Sequence, residues 1–491
     1  MPQVINTNML SINAQRNLSQ SQATQATAIQ RLSSGLRINT AKDDAAGLAI
    51  SERFTTQIRG LNQATRNAQD AISLSQTAEG AMGSISDSLQ RIRELAVQAA
   101  NGTNGSADRL ALDQEVQQMI SEVQRVAMQT QFNGINLIDG TFSGQTFQVG
   151  ANQNQTVAIS SVSNMQTTAL GSNLLTTGGT AMNRANAAAA DVSAALVAAE
   201  TDLTLTTATG GTTAAISYAA NAGANGIAAA INTAGANVGL SATATNSATL
   251  GSLASAGTVS MTLNGQAISA AVTTTSDLSA LAAAINGVSG TTGVSASFAD
   301  SNNRSSITLT TTDGRDITMR DFNNTGATKT VGVTGGNGTA VTLTGGAATD
   351  STRIVGRVDV YSSQGAITAA LANTDAFASA GVTSSFSSLG GLSVTTSNNA
   401  QSALRIVDDA LRQVNGARAS LGAIQNRFES TIDNLKVSSE NLTASRSRVL
   451  DADFAEETAK LTRSQILQQA GTAMLAQANS APQSVLALLR G

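Results

Sequence analysis

The chain has 491 residues, 28 Lys and Arg against 32 Asp and Glu, a net charge of −4, no His, no Cys, no Trp, two Tyr and two Pro. Without His or Cys there is no Ser-His-Asp triad, no thiolate nucleophile and no zinc site of the usual nitrogen and sulfur kind. The near-neutral charge leaves no footprint for nucleic acid. No phosphate loop of the GxxxxGK[ST] type occurs, so an enzyme is not expected, nor any catalytic, cofactor or metal site.

From the N-terminus, Ile5, Met9 and Ile12 recur at helical spacing, followed mostly by Gln, Ser, Thr and Ala. The opening "MPQVINTNMLSINAQ" has neither the basic nor the apolar region of a cleaved secretion signal. In "RLSSGLRINTAKDDAAGLAISERF", Ser33, Ser34 and Gly35 end one helix, and Asp43 or Asp44 caps the next. That next helix carries Met82, Leu89 and Ala96 with Ile85, Ile92 and Ala99 as a heptad, in phase back to Leu61 and Ala64. "NGTNGS" (101–106) reverses the chain into a third helix with Leu112, Val116, Met119, Val123 and Val126 on one stripe. Asn-Gly, Asp-Gly and Ser-Gly pairs between short alternating runs over 132–159 predict β-hairpins.

From about 165 to 400 the chain is rich in Ala, Thr, Ser, Gly and Asn, yet it repeats. "AAAIN" at 228–232 returns at 282–286, an offset of 54 that also relates Gly211 to Gly265 and Gly239 to Gly293. Each copy reads strand, turn, strand, short helix, strand, which predicts a duplicated α+β unit over about 200–318. Its Ser/Thr-rich surface suits solvent exposure and O-glycosylation.

At the C-terminal end Val407, Val414, Leu421, Phe428, Leu435, Leu442 and Val449 recur every seven residues, the seam of a long helix that needs partner helices. Beyond it Leu461, Leu467, Met474 and Leu475 form a thinner stripe among glutamines. Val485, Leu486, Leu488 and Leu489 crowd the last turns. The fold class expected is mainly α at both ends, a long antiparallel helical bundle or coiled coil of N- and C-terminal segments, with an inserted β-rich α+β region. No apolar run reaches transmembrane length, so membrane insertion is not expected.

The stretches "QVINTN" (3–8), "RLSSGLRINTAKDDAAG" (31–47), "LQRIRELAVQAANGTN" (89–104), "QFNGINLIDG" (131–140), "FQVGAN" (147–152) and "QILQQAGTAMLAQANSAPQSVLALLR" (465–490) closely resemble bacterial flagellin, the filament subunit of the flagellum. The resemblance covers roughly 1–160 and 400–491. It implies an inner terminal coiled coil (1–42 and 450–491), a surrounding bundle with β-hairpins (43–165 and 400–449) and a variable outer insertion (166–399). It also implies self-assembly into a helical homopolymer for motility, with Ile5, Met9, Ile12, Leu467, Met474, Leu475, Val485, Leu486, Leu488 and Leu489 as assembly surface. The terminal helices are then disordered in the free subunit, because they bury too little apolar surface to offset their ordering.

Further implications are unfolded export through the flagellar type III apparatus, an extracellular location, and a secretion chaperone, filament cap and hook-associated proteins as partners. Arg91, Leu95 and Glu115 match positions bound by the host Toll-like flagellin receptor, and all three are expected to be exposed beside the heptad seam. The tail "VLALLR" resembles the segment read by cytosolic NAIP sensors. The alternatives are a hook-filament junction protein, which shares paired terminal helices, and a Ser/Thr-rich surface adhesin, which needs a signal or anchor.

Overall fold

A computed structural model describes residues 7–192, 197–298, 303–370, 374–377 and 381–490, the last ten by backbone alone. Three helices come first: α1 (Met9–Ser34), α2 (Ala45–Ala100) and α3 (Ser106–Gln129). Gly35 ends α1 in the left-handed conformation at φ 69°, where a Cβ is disfavoured. Asp44 opens α2 by accepting the Gly47 N–H at 2.8 Å. Two hairpins follow, β1 (Gln131–Phe132) with β2 (Ile135–Asn136), and β3 (Gln145–Gln148) with β4 (Thr156–Ile159).

The insertion then runs through β5 (Gly171–Thr176), β6 (Arg184–Ala185), β7 (Glu200–Thr207), β8 (Gly211–Thr212), β9 (Ile216–Tyr218), α4 (Ala224–Gly235) and β10 (Leu240–Gly251). It continues with β11 (Gly257–Leu263), β12 (Gln266–Val272), α5 (Ser279–Gly287), α6 (Ser289–Thr292), β13 (Ser295–Ser297) and β14 (Ser306–Thr311). Its remaining strands are β15 (Ile317–Asn324), β16 (Thr330–Gly335), β17 (Ala340–Thr344), β18 (Thr352–Val355), β19 (Arg357–Ser362), β20 (Ile367–Ala370) and β21 (Ser385–Ser388). Two helices close the chain, α7 (Ser397–Leu450) and α8 (Phe454–Arg490). The structure is helical at both ends around a β-rich middle, as the periodicities predict.

By contacts the chain divides into two compact units, cut within α2 and α7 rather than at their ends. The first comprises 1–77, 143–161 and 420–491. Its core sets Ala64, Ala68, Ala71 and Leu74 of α2 with Leu421, Phe428, Ile432 and Leu435 of α7 and Val157 and Ile159 of β4. Small residues on α2 let neighbours approach closely. A Cβ on Gly60 would stand 2.8 Å from the Ala151 Cβ in the β3–β4 turn. Phe147 meets Phe428 edge-on, ring centres 5.8 Å apart.

The second unit holds 78–142 and 162–419. Here Met82, Ile85, Leu89, Ile92, Ala96 and Ala99 are buried with Val407, Ala410 and Val414, as the heptads predict. On α3 the buried stripe is Val116, Ile120, Val123 and Ala127, whereas Leu112, Met119 and Val126 of the expected stripe are half-buried. The reason is spacing: a short helix against one face buries i, i+4, i+7 and i+11.

The insertion contains two hydrophobic cores, each built around one copy of the repeat. The first copy (β7–β10) packs Leu203, Leu205, Ile227, Ile231 and Ala242 against Val358 and Val360. The second (β11–β14) packs Val259, Met261, Leu281, Ile285, Ala296 and Leu309 against Phe322. Strand β10 is shared, its first half contributing Leu240 and Ala242 to one core and its second half Ala248 and Leu250 to the other.

The copies repeat their polar contacts as well. Asn232 Nδ2 donates to the Ala242 carbonyl at 2.8 Å while its Oδ1 accepts the Ala242 N–H at 2.7 Å. Asn286 does the same with Ala296, at 2.9 and 2.8 Å. Gly239 and Gly293, which turn the chain between helix and strand, share φ 70°. At the junction of the cores the buried Asn246 donates to the carbonyls of Arg315 (3.0 Å) and Ile354 (2.9 Å). Beside it Arg353 pairs with Asp316. Burial pushes the Asp316 carboxyl up despite that partner. Its ionised form is therefore penalised, and its contribution to stability declines as pH rises from the ordinary aspartate range through the raised value.

The two clasps generate a paired prediction. Asn286→Ala leaves the Ala296 N–H and carbonyl without partners and is expected to lower the stability of the insertion by about 1–3 kcal/mol. Asn232→Ala is expected to do the same in the first copy. Denaturant unfolding that shifts for one variant and not the other would contradict the equivalence of the copies, and no shift for either would remove the clasps as a source of stability.

Candidate assembly surface

Helices α1 and α8 lie antiparallel in the first unit. Small and polar residues line much of their contact. Asn8 Nδ2 donates to the Ala478 carbonyl (2.8 Å), Ser11 Oγ to Asn479 Oδ1 (2.9 Å), and Arg31 meets Glu457 at 3.3 Å. The buried side chains on the pair are small or polar: Ser11, Ala28, Glu457, Ser464 and Ala478. Glu457 is also held by Lys460 at 3.0 Å. The two connectors are tied by backbone hydrogen bonds, Arg37 N–H to the Leu450 carbonyl at 2.7 Å and Ala452 N–H to the Gly35 carbonyl at 2.9 Å.

Leu18, Leu32 and Leu461 are half-buried on this pair, but other large apolar side chains of the two helices are exposed. Met9 is 59 % exposed, Ile12 43 %, Leu467 51 % and Met474 64 %, while Leu475 is half-buried. These five belong to the predicted assembly set. Ile5 lies outside the described residues, as do the side chains of Val485, Leu486, Leu488 and Leu489. Sequence reasoning missed Leu10, Ile29, Phe454 and Ile466, all exposed on the same two helices. Leu10 and Ile466 adjoin predicted positions, so an apolar pair rather than a single stripe was the available signal.

Of the α7 seam residues, those from Val407 to Leu435 are all buried, while Leu442 and Val449 are only half-buried. Past Leu435 the facing stretch of α2 turns polar. An open groove of about 720 Å³ runs there, lined by Asn62, Thr65, Arg66, Lys436, Ser439 and Thr443 among others. A strict heptad in one helix buries only as far as its partner supplies apolar surface.

The receptor set needs one correction. Arg91 and Glu115 are about half-exposed and joined, Nε at 3.1 Å and Nη2 at 2.7 Å from Oε1, with Arg91 Nη1 3.0 Å from Glu94. The Glu115 and then the Glu94 hydrogen bond raise the Arg91 pKa. Leu95, expected to be exposed, is buried at 1 %. Helix α2 is covered on two sides here, since Arg91 reaches α3 while Arg93 reaches Asp408 of α7 at 2.7 Å. A residue beside one seam therefore lies between two partner helices.

The terminal helices thus pair with each other and turn eight large apolar side chains outward, the pattern of a structural rather than a catalytic surface. Residues 5–143 match the bacterial flagellin N-terminal helical region and 404–489 the bacterial flagellin C-terminal helical region. Residues 258–313, the second copy of the repeat, match the flagellin hook IN motif. The B-type flagellin of Pseudomonas aeruginosa is 40% identical, and a flagellin of Salmonella rubislaw 38% identical, each alignment covering 100% of both chains. A solved structure of FliC from Burkholderia pseudomallei is 22% identical over 73% of this chain and 99% of that one, with a TM-score of 0.30. The chain belongs to the bacterial flagellin family.

The turn that leads from α1 into α2 is held by a carboxylate. Asp43 Oδ2 accepts the N–H groups of Asn39 (3.1 Å) and Thr40 (2.9 Å). The Thr40 and Asn39 bonds hold its pKa below the ordinary value. That support is fully present above about pH 4 and is lost as pH falls through the lowered value. Amide hydrogen exchange across 39–44 is expected to accelerate on acidification, and Asp43→Asn is expected to abolish the pH dependence.

Proposed function

We propose that the chain is the self-assembling subunit of the bacterial flagellar filament, a structural protein rather than an enzyme, located outside the cell and joined to further copies through α1 and α8. The observation that supports this reading is the terminal pair, where eight large apolar side chains are exposed and the fully buried ones are small or polar. Burying each half-exposed Leu, Ile, Met or Phe contributes about 1 kcal/mol, so association supplies what the pair lacks alone.

On this reading 1–42 and 450–491 form the inner layer, 43–165 and 400–449 the bundle around it, and 166–399 the outward region. The scarcity of fully buried apolar side chains between α1 and α8 accords with export of an unfolded chain by the flagellar type III route, with a secretion chaperone covering the tail. The filament cap and hook-associated proteins are its other partners. Arg91 and Glu115 form the accessible part of a surface for the host Toll-like flagellin receptor, while Leu95 supports it from beneath. The last turns serve NAIP sensors.

Ile466→Glu with Met474→Glu changes exposed positions and is expected to leave monomer unfolding within about 0.5 kcal/mol of the parent. The same pair is expected to abolish seeded filament growth seen by electron microscopy. Filaments of normal length from this variant would overturn the assembly assignment, and a parent chain that never polymerises would favour a junction role. Arg91→Ala is expected to reduce receptor activation at least tenfold in a reporter assay, and full activation would remove Arg91 from the surface.

A further inference from the structure

The tandem repeat provides an internal comparison of one strand in two settings. In each copy the second strand of the hairpin lies at the edge of its sheet. In the first copy that strand is broken: β8 pairs with β7 at Thr206–Thr212 and Thr207–Gly211, and pairing resumes at β9 only after a register shift. A break of this kind blunts an edge against further pairing. In the second copy β12 pairs with β11 without interruption through all seven residues, Gln266 to Val272. Among the described residues no strand pairs with the other edge of β12.

This edge lacks the usual protections. The strand reads QAISAAV, with no charge and no proline. Its turn, Asn264-Gly265 at φ 47° and 85°, makes Leu263–Gln266 the closing pair. Alternation then directs the N–H and C=O groups of Ala267, Ser269 and Ala271 away from β11. Their side chains are exposed, while Ile268, Ala270 and Val272 face the core under α5. The outward groups thus stand on three residues with small, uncharged side chains.

We infer that the β12 edge is a docking surface for a second copy of this chain, pairing antiparallel with its own equivalent about Ser269. The occupant follows from self-complementarity. With Ser269 opposite Ser269 of the other copy, Ala267 stands opposite Ala271 and Ala271 opposite Ala267, and about six backbone hydrogen bonds close. No like charges meet and no side chain is larger than serine. One strand edge buries far less than the roughly 1,000 Å² of a stable complex, so the contact is weak and is expressed where copies are crowded. It does not require α1 or α8 and is independent of the filament reading.

The absence of cysteine makes the contact trappable. Opposed residues of a hydrogen-bonded pair stand with Cα atoms about 5.5 Å apart, within reach of a disulfide. Ser269→Cys in the full chain, mildly oxidised at rising protein concentration, is expected to yield dimer on a non-reducing gel at least tenfold faster than Ala267→Cys alone. Mixing Ala267→Cys with Ala271→Cys chains is expected to restore the cross-link. Adding Ala271→Pro to Ser269→Cys removes an outward N–H without touching the β11 ladder and is expected to suppress trapping with unfolding unchanged. Equal rates for Ser269→Cys and Ala267→Cys, or trapping that survives Ala271→Pro, would overturn the inference.

Discussion

The constraint on which the rest depends is the scarcity of fully buried large apolar side chains between α1 and α8. In two helices of 26 and 37 residues the fully buried side chains are Ser11, Ala28, Glu457, Ser464 and Ala478, leucines such as Leu18 and Leu461 are half-buried, and eight large apolar side chains are left in water. Packing of an amphipathic face, rather than propensity, supplies most helical stability in proteins. On the proposed reading, a pair built this way gains most from association. The α2–α7 core is the opposite case, with Leu74, Leu421 and Phe428 filling it. A stable bundle and conditional termini therefore coexist in one chain.

The insertion solves a different problem. A segment so poor in aromatic residues must build its cores from Val, Ile, Leu and Ala, and a single repeat offers few of them. Two copies sharing β10 give two small cores that brace each other, with Asn246 meeting the carbonyls where they join. The Asn232 and Asn286 clasps fix helix to strand in each copy. This satisfies buried backbone groups without large side chains. The Asp316–Arg353 pair at the same junction is a weaker element, since burial penalises the carboxylate it contains.

The residues expected at a receptor surface show how packing revises a surface inferred from one helix. Arg91 and Glu115 are reachable, but they hold each other across α2 and α3. A ligand for either must compete with that bond. Leu95, on the same stretch of α2, is buried.

Much of this was legible in the residues. The αL turn at Gly35, the cap at Asp44, the reversal at 101–105, the hairpin turns and the 54-residue duplication all rest on local chemistry that a few neighbouring side chains decide. The heptad from Val407 to Leu435 was legible because a seam is periodic. What the sequence did not disclose was where partners end: Leu442 and Val449 keep the period without full burial, Leu95 breaks it and is buried, and Ile120 and Ala127 displace Met119 and Val126. Each depends on a second or third helix that no single stripe encodes. The sequence by itself determined the element types, the duplication and the family resemblance, because these follow from short-range spacing and turn residues. Only the tertiary structure decided which apolar residues of α1 and α8 remain in water and which strand edge stays open, because exposure is set by what packs alongside.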